Sequence, residues 1–157
     1  MADSSWWCPA LLVVGAGPMR ESLTRLLPAN VRLVSDIDDA QLGWAYATSS
    51  ALIAPFYEDL GLTVREAAAW GKPTFALRVG GYLDTVVEGV TGANFDTSDA
   101  DAIRLAVAKF PSQTWDGDII RAHAETFSEA RFSDGIHEHV HRMIGPRTAA
   151  LSAATTG

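Results

Sequence analysis

The sequence predicts a doubly wound α/β domain: a Rossmann-like parallel sheet of about five strands with helices on both faces. Two observations support this prediction. Apolar runs of three to five residues alternate with segments of helical periodicity over the first hundred residues, and the pattern then becomes entirely helical. Because single helices separate the strands, right-handed crossovers and parallel pairing are expected, followed by helices at the C-terminal end.

The first part of the chain predicts three strands. Ala10–Val14 is the first, and the turn after it leads at Pro18 into a helix, since proline loses no N–H partner in a first turn. Val31–Ser35 is the second strand, and a helix with its cap near Asp38 follows it. The third strand is Ala51–Ala54, which Pro55 ends.

The second part predicts one helix between strands and then two further strands. The helix covers Val64–Trp70; Gly71 ends it and Pro73 prevents its continuation. The strands are Thr74–Leu77 and a short one near Ala93–Phe95.

Three helical segments complete the domain, at residues 102–110, 119–127 and 136–144. The predicted domain therefore covers residues 10–145. An arm of residues 1–9 precedes it and carries two adjacent tryptophans, and the small, polar segment 146–157 is predicted to be a disordered tail.

Composition and charge restrict the class of protein. The 157 residues are enough for one domain, and 12 basic against 19 acidic side chains give a net charge of −7, which disfavours nucleic acid as a partner. No apolar run reaches the ~18 residues of a membrane span, and the sequence predicts no signal peptide. The single Cys8 allows no internal disulfide. We expect a cytoplasmic protein without a cofactor or metal.

The turn after the first strand is the first of two candidate ligand-binding junctions. Ligands of an open parallel sheet bind at the carboxyl ends of its strands, where helix N-termini direct amides outward. Gly15 and Gly17 resemble the start of a dinucleotide fingerprint, and Asp36 ends the next strand where a ribose-binding acid would lie. Arg20, however, occupies the position where a small residue is needed. A plain tight turn is the alternative to a nicotinamide site.

The junction after the third strand carries more chemistry. Glu58 and Glu66 are separated by seven residues and flank Gly61, which permits close approach of the backbone. Carboxylates accept hydrogen bonds from vicinal hydroxyls, and amides at a helix start suit a diphosphate, so the combination fits a sugar–diphosphate–nucleoside. In the alternative interpretation, Thr63 and Glu66 form a capping box and Glu58 is a solvated loop acid.

An ordered series of short motifs extends from Leu11 to about Ile144. Its members are VGAGP (14–18), NVRL (30–33), ALIAP (51–55), EDLGL (58–62), EAAAWGKP (66–73), VGG (79–81), EGVTG (88–92) and RFS (131–133). The series resembles the C-terminal, nucleotide-sugar-binding domain of the GT-B retaining glycosyltransferases, specifically glycosyltransferase family 4. This resemblance implies half of a GT-B architecture and a nucleoside-diphosphate sugar as ligand.

The resemblance also implies roles for individual residues. Glu58 would contact hydroxyls of the donor sugar, and Glu66 those of the ribose; Gly15 and Gly17 would lie at the phosphate side. The amides facing the diphosphate and sugar would be those of Leu60, Gly61, Leu62 and Thr63. Asp59 and Leu60 stand where the family usually has Gly-Phe, and Asp84 where it has Glu, departures that bear on the choice of donor.

Two parts of the family pattern have no counterpart in this sequence. The family domain opens with a further strand and helix that carry an Arg and a Lys for the leaving diphosphate, and nothing before Ala10 matches them. An acceptor-binding domain is also without a counterpart. A donor-binding part that is incomplete alone is therefore expected, with a separate acceptor-binding domain or chain as a partner.

The unmatched strand would lie between Leu11–Val14 and Ala51–Ala54. Either these two strands pair directly, or another chain or the arm Met1–Pro9 supplies a strand between them. Direct pairing is the prediction, because it needs no partner.

Other functions stay open at this point. His137, Glu138 and His141 spell the zinc-protease motif H-E-x-x-H, but no His, Asp or Glu follows as a third ligand, so no metal site is predicted. Besides a glycosyltransferase part, the sequence allows a nucleotide-binding module without catalysis and, less favoured because of Arg20, a protein that binds an NAD-type dinucleotide.

Overall fold

The computed structural model describes the backbone of residues 10–154 and the side chains of residues 10–144. The arm 1–9 and residues 155–157 lie outside the described part. The strands of the described part are β1 (Leu11–Val14), β2 (Val31–Val34), β3 (Leu52–Ala54), β4 (Thr74–Leu77) and β5 (Gly92–Phe95). Its helices are α1 (Arg20–Thr24), α2 (Asp39–Thr48), α3 (Leu62–Ala69), α4 (Tyr82–Thr85), α5 (Ala100–Ala108), α6 (Gly117–Glu125) and α7 (Glu129–Ala154).

All strand pairs are parallel and helices connect them, which confirms the predicted α/β, Rossmann-like class. The strands form two sheets, β1-β2 and β3-β4-β5, instead of one. The predicted direct pairing of β1 with β3 is therefore wrong: among the described residues, each of these strands keeps one edge without a strand partner.

Helix α2 forms the connection between the two sheets. Its end is tied to the α3–β4 turn by the Lys72 ammonium, which donates to the Ala47 carbonyl at 2.8 Å. A groove of about 460 Å³ lies between α2 and the β1-β2 sheet, with Leu12, Val34 and Trp44 in its lining.

The hydrophobic core lies on both faces of the three-stranded sheet. Adjacent residues of β4 point to opposite faces. Ala76 packs with Val64 and Tyr82 on the face that α3 and α4 cover, and Phe75 packs with Ala106 of α5 on the other. Helices therefore cover both faces, as a doubly wound fold requires.

The β1-β2 sheet lacks such cover. The four residues of β1 are 39–43% exposed although all are apolar, and no residue of β1 or β2 is buried. The buried core of the described residues consequently lies in the half built on β4.

Helix boundaries agree with the sequence where a cap defines them. Asp38 caps α2 and forms a capping box with Gln41, and Gly71, with a φ of +69°, follows the end of α3. Helix α7, in contrast, begins seven residues before the predicted 136 and runs through Pro146 to Ala154. The segment predicted as a disordered tail is thus helical as far as Ala154, in keeping with its four alanines and their high helix propensity. Among the described residues, no helix is long and apolar enough to cross a bilayer.

Candidate functional site

The loop between β3 and α3 holds Glu58 and rests on the two glycines that follow β4. The amide of Gly81 donates to the Glu58 carbonyl at 2.8 Å. A Cβ at Gly80 would lie 2.3 Å from the Glu58 carbonyl oxygen, and one at Gly81 would lie 2.2 Å from that of Asp59. Only glycines let the two backbones approach this closely, so this turn fixes the position of the loop.

Gly61 begins α3 and has a structural reason to be glycine. Its φ of +65° and ψ of +52° are left-handed. A Cβ there would come within 3.1 Å of the ring of Tyr82, which is fully buried. The loop therefore turns sharply into the helix directly above this ring.

The amino end of α3 has no side-chain cap. Helical residues begin at Leu62, so Thr63 is the second residue of the helix and cannot form the capping box with Glu66 that the alternative interpretation required. The Val64 amide donates to the Gly61 carbonyl at 3.2 Å, whereas the amides of Leu62 and Thr63 precede the first intrahelical acceptor and carry partial positive charge. They are therefore available to an anionic ligand.

Glu66 lies one turn further along α3 and is exposed. Its Oε2 accepts a hydrogen bond from the Tyr46 hydroxyl of α2 at 2.8 Å. Burial, and then the bond to Glu66 and the charge of this carboxylate, raise the pKa of Tyr46 well above its ordinary value. Tyr46 is therefore a permanent hydrogen-bond donor to Glu66 at physiological pH.

Glu58 lies on the loop side, partly buried and near Tyr82. Burial raises the pKa of Tyr82, and the negative charge of Glu58 raises it further. The Tyr82 hydroxyl is buried without a hydrogen-bond partner among the described residues. Leu60 and Leu62 are about half exposed on the same loop, so the surface between the two glutamates combines apolar side chains with free amides.

Gly15 and Gly17 lie at the end of β1, in the other sheet. The Gly15 amide extends the β1-β2 ladder by donating to the Val34 carbonyl at 2.9 Å. A Cβ at either glycine would meet no atom of the described residues within 4 Å. The structure therefore brings Glu58, Leu60, Gly61, Leu62, Thr63 and Glu66 together on one connection and leaves the Gly-x-Gly turn on a separate sheet.

Asp36, the ribose-binding acid of the dinucleotide interpretation, forms a hydrogen bond with its neighbour Ser35. Arg20 donates to the Ser35 hydroxyl, which in turn donates to the Asp36 carboxylate at 2.8 Å. Asp36 itself has a left-handed backbone, with a φ of +58°. This chain of bonds links α1 to the end of β2 and explains why an arginine follows the Gly-x-Gly turn.

The H-E-x-x-H segment lies on α7 as two exposed histidines and a paired glutamate. Glu138 accepts from Arg142 at 2.7 Å, one turn along the helix. The described part of the chain contains no group of three His, Cys, Asp or Glu side chains that could hold a metal ion.

The sequence did not predict that two tyrosines, Tyr46 and Tyr82, lie at the site. Tyr46 lies 20 residues before Glu66, and Tyr82 is 24 residues after Glu58. No local spacing connects such pairs, because the fold, not the chain, brings them together.

Comparison with known proteins identifies one family. The model of the family described as glycosyl transferases group 1 matches residues 9–126. A GDP-mannose-dependent α-(1-6)-phosphatidylinositol monomannoside mannosyltransferase of Mycolicibacterium smegmatis is 34% identical over 111 residues, 62% of this chain and 29% of the relative. The glycogen synthase of Thermus thermophilus is 30% identical over 135 residues, 74% and 31% of the two chains.

A comparison with solved structures also finds a similar protein. Sucrose-phosphate synthase from Thermosynechococcus elongatus superimposes with a TM-score of 0.59 and 28% identity, over 92% of this chain and 39% of that one. The chain spans about three tenths of the length of the two curated relatives.

Proposed function

Because the chain belongs to the glycosyl transferases group 1 family, we propose that it binds the nucleoside-diphosphate sugar donor of a retaining glycosyltransferase of family 4. The enzyme would transfer a hexose-type sugar to an acceptor hydroxyl. One observation carries the proposal: two glutamates flank the uncapped amino end of α3, Glu58 on a loop that two glycines hold in place and Glu66 in the helix itself. The mannosyltransferase relative, whose name specifies GDP-mannose, supports this class of donor.

The parts of the donor have distinct partners in this proposal. Glu66 accepts from the ribose hydroxyls and Glu58 from hydroxyls of the sugar. The diphosphate lies between them, at the amides of residues 60–63, where the partial positive charge of the helix end favours an anion. Gly15 and Gly17 contribute from the side of the β1-β2 sheet.

We further propose that this donor site needs an additional segment to be complete. The loop from Pro55 to Thr63 contains two acids and no Lys or Arg. Departure of a nucleoside diphosphate develops negative charge that a catalyst must stabilise. Among the described residues, β1 and β3 each keep one edge without a strand partner, which supports a further strand at this position. An acceptor-binding domain or chain would supply the other wall of the site. A cytoplasmic location stays a prediction.

A nucleotide-binding module without catalysis is the second candidate function. The observation that favours it is the same absence of a basic side chain from the loop. Both candidates require nucleotide binding, so binding is tested first and transfer second.

Calorimetric titration with GDP, UDP and ADP tests the binding. We expect weak binding of at least one of them, and we expect Glu66→Gln to weaken it by ~1–3 kcal/mol, the cost of losing a charged hydrogen-bond partner. Glu129→Gln, on the first turn of α7, is the matched control and should bind as the wild type does. No binding of any of the three, or equal binding by wild type and Glu66→Gln, would contradict the proposal.

Sugar transfer separates the two candidate functions. The chain alone should transfer no sugar from GDP-mannose, UDP-glucose or ADP-glucose, although slow hydrolysis of a donor is compatible with it. Turnover near the ~10 s⁻¹ typical of enzymes would show that the site is complete without a partner. Transfer that appears only when an acceptor-binding chain is added would exclude the module without catalysis.

A further inference from the structure

The hydrogen bond between Tyr46 and Glu66 joins two helices at the edge of the proposed donor site. Resting on the proposed function, we propose that Tyr46 is a positioning residue for ribose recognition: its hydroxyl holds one oxygen of Glu66 so that the other faces the ribose diol. The bond is 2.8 Å long and runs from the Tyr46 hydroxyl to Oε2. Among the described residues, Oε1 of Glu66 has no hydrogen-bond partner, so one carboxylate oxygen is occupied and one is open.

A glutamate can bind the Tyr46 hydroxyl and the ribose hydroxyls at the same time. A carboxylate accepts about four hydrogen bonds, so the bond from Tyr46 leaves capacity for both ribose hydroxyls. A free glutamate side chain loses rotamer entropy when a ligand orders it. Holding Glu66 before the ligand arrives removes part of that cost, which raises affinity by preorganisation.

The Tyr46 hydroxyl keeps its proton, and so can donate a hydrogen bond, at physiological pH. The hydroxyl is partly buried beside a negative charge, and both effects keep it protonated. The charged group that faces the hydroxyl is the Glu66 carboxylate. The Lys72 ammonium binds the carbonyl of the next residue of α2, Ala47.

Other contacts place α2 against α3 without help from the Tyr46 hydroxyl. The Lys72 ammonium holds the Ala47 carbonyl. The ring of Trp70 lies over Gly43, where an added Cβ would come 3.3 Å from it. Tyr46→Phe therefore removes one hydrogen bond while the helices stay together. Lys72→Met, in contrast, loosens the helices and leaves the Tyr46–Glu66 bond in place.

These two variants separate a positioning role from a purely structural one. The readout is the ratio of affinities for a ribonucleotide and its 2′-deoxy counterpart, measured by calorimetry with GDP and dGDP, UDP and dUDP, and ADP and dADP. Thermal melting of each variant monitors the fold. A structural tie affects both members of a pair equally, whereas a positioning residue affects the ribonucleotide more than its 2′-deoxy counterpart, which keeps only one of the two hydroxyls.

We expect Tyr46→Phe to lower ribonucleotide affinity about two- to tenfold and to lower deoxynucleotide affinity less, because the deoxynucleotide offers Glu66 only its 3′-hydroxyl. Lys72→Met should lower the melting temperature and keep the wild-type ratio. If Tyr46→Phe keeps the wild-type ratio while Glu66→Gln loses it, the inference is wrong and the proposed function stands. If the wild type binds no nucleotide, or Glu66→Gln keeps the ratio, the proposed function fails and this inference fails with it.

A second measurement reads the wild-type chain and uses variants only to assign its signals. The chain has three tyrosines, so 3-fluorotyrosine labelling gives a fluorine spectrum that single substitutions assign. The Tyr46 resonance should shift when a ribonucleotide is added and shift less with the deoxynucleotide. An equal shift with both would overturn the proposal.

Discussion

The glycines after β4 are the residues on which the candidate site depends most directly. We expect Gly81→Ala to force the loop away, because the new Cβ would lie 2.2 Å from the Asp59 carbonyl oxygen. Overpacking of this kind costs about 1–3 kcal/mol of stability. Calorimetry and thermal melting should show lower nucleotide affinity together with a lower melting temperature.

Gly135→Ala is the control for this substitution. A Cβ at Gly135 meets no described atom within 4 Å, and alanine favours a helix interior over glycine. This variant should be as stable as the wild type or slightly more stable, with unchanged binding. If Gly81→Ala behaved in the same way, the close packing of loop and turn would not be what holds Glu58.

The raised pKa of Tyr46 predicts a pH dependence of stability. The folded pKa lies above the unfolded value of 10.0, so the folded chain binds this proton more tightly. The resulting stabilisation is fully present below pH 10 and is lost as the pH rises above it. Urea unfolding should therefore show a steeper loss of stability between pH 9 and 11 for the wild type than for Tyr46→Phe. Parallel pH profiles of the two proteins would contradict this prediction.

Sequence reasoning identified the chemistry of single residues better than their partners. Glu58, Gly61 and Glu66 were predicted on one junction, because seven residues of spacing place them around the start of a helix. The hydrogen bond of Tyr46 and the buried hydroxyl of Tyr82 could not be predicted, since tertiary packing alone creates both.

At the scale of elements, the N-cap of α2 connects local sequence to the site. The Asp38 side chain accepts from the Gln41 amide at 2.8 Å, and the Gln41 side chain accepts from the Asp38 amide at 3.0 Å. Asp38→Ala should cost about 1 kcal/mol of stability through the lost cap. Because α2 carries Tyr46, nucleotide affinity should fall as well, measurably in calorimetry.

Asp99→Ala tests whether that loss of affinity is specific. Asp99 caps α5, which packs on the opposite face of the three-stranded sheet. This variant should melt at a lower temperature and still bind nucleotide as the wild type does. Equal losses of binding in both variants would attribute the effect to general destabilisation.

Elements whose ends are marked by a capping residue or a glycine were predicted well, and elements without such residues were not. The capping residue of α2 and the glycine after α3 are such signals, and the strands of the core agree within one or two residues. Helix α7 extends beyond the predicted 144; the small, polar residues after it predicted a disordered tail, although their alanines favour a helix. Helix α4 was missed because four residues after a glycine pair carry no helical period.

At the scale of the whole molecule, the sequence predicted the fold class and not the division of the sheet. Alternating strands and helices define parallel crossovers, whichever strands finally pair. Pairing of β1 with β3 is a non-local choice between residues about 40 positions apart, and no pattern along the chain encodes it. The two sheets are therefore a property that only the three-dimensional structure reveals.

The exposed β1-β2 sheet implies that the molecule does not open as one cooperative unit. Segments with few buried apolar contacts unfold locally at a lower free energy than the core does. All residues of β1 are exposed, whereas three of the four residues of β4 are buried. In hydrogen–deuterium exchange, amides of residues 11–14 and 31–34 should exchange together and well before those of residues 74–77. Simultaneous exchange of all three segments would mean that the sheets unfold as one; successive exchange would make β1-β2 a separate unit of folding, free to rearrange while the glutamate-bearing half stays intact.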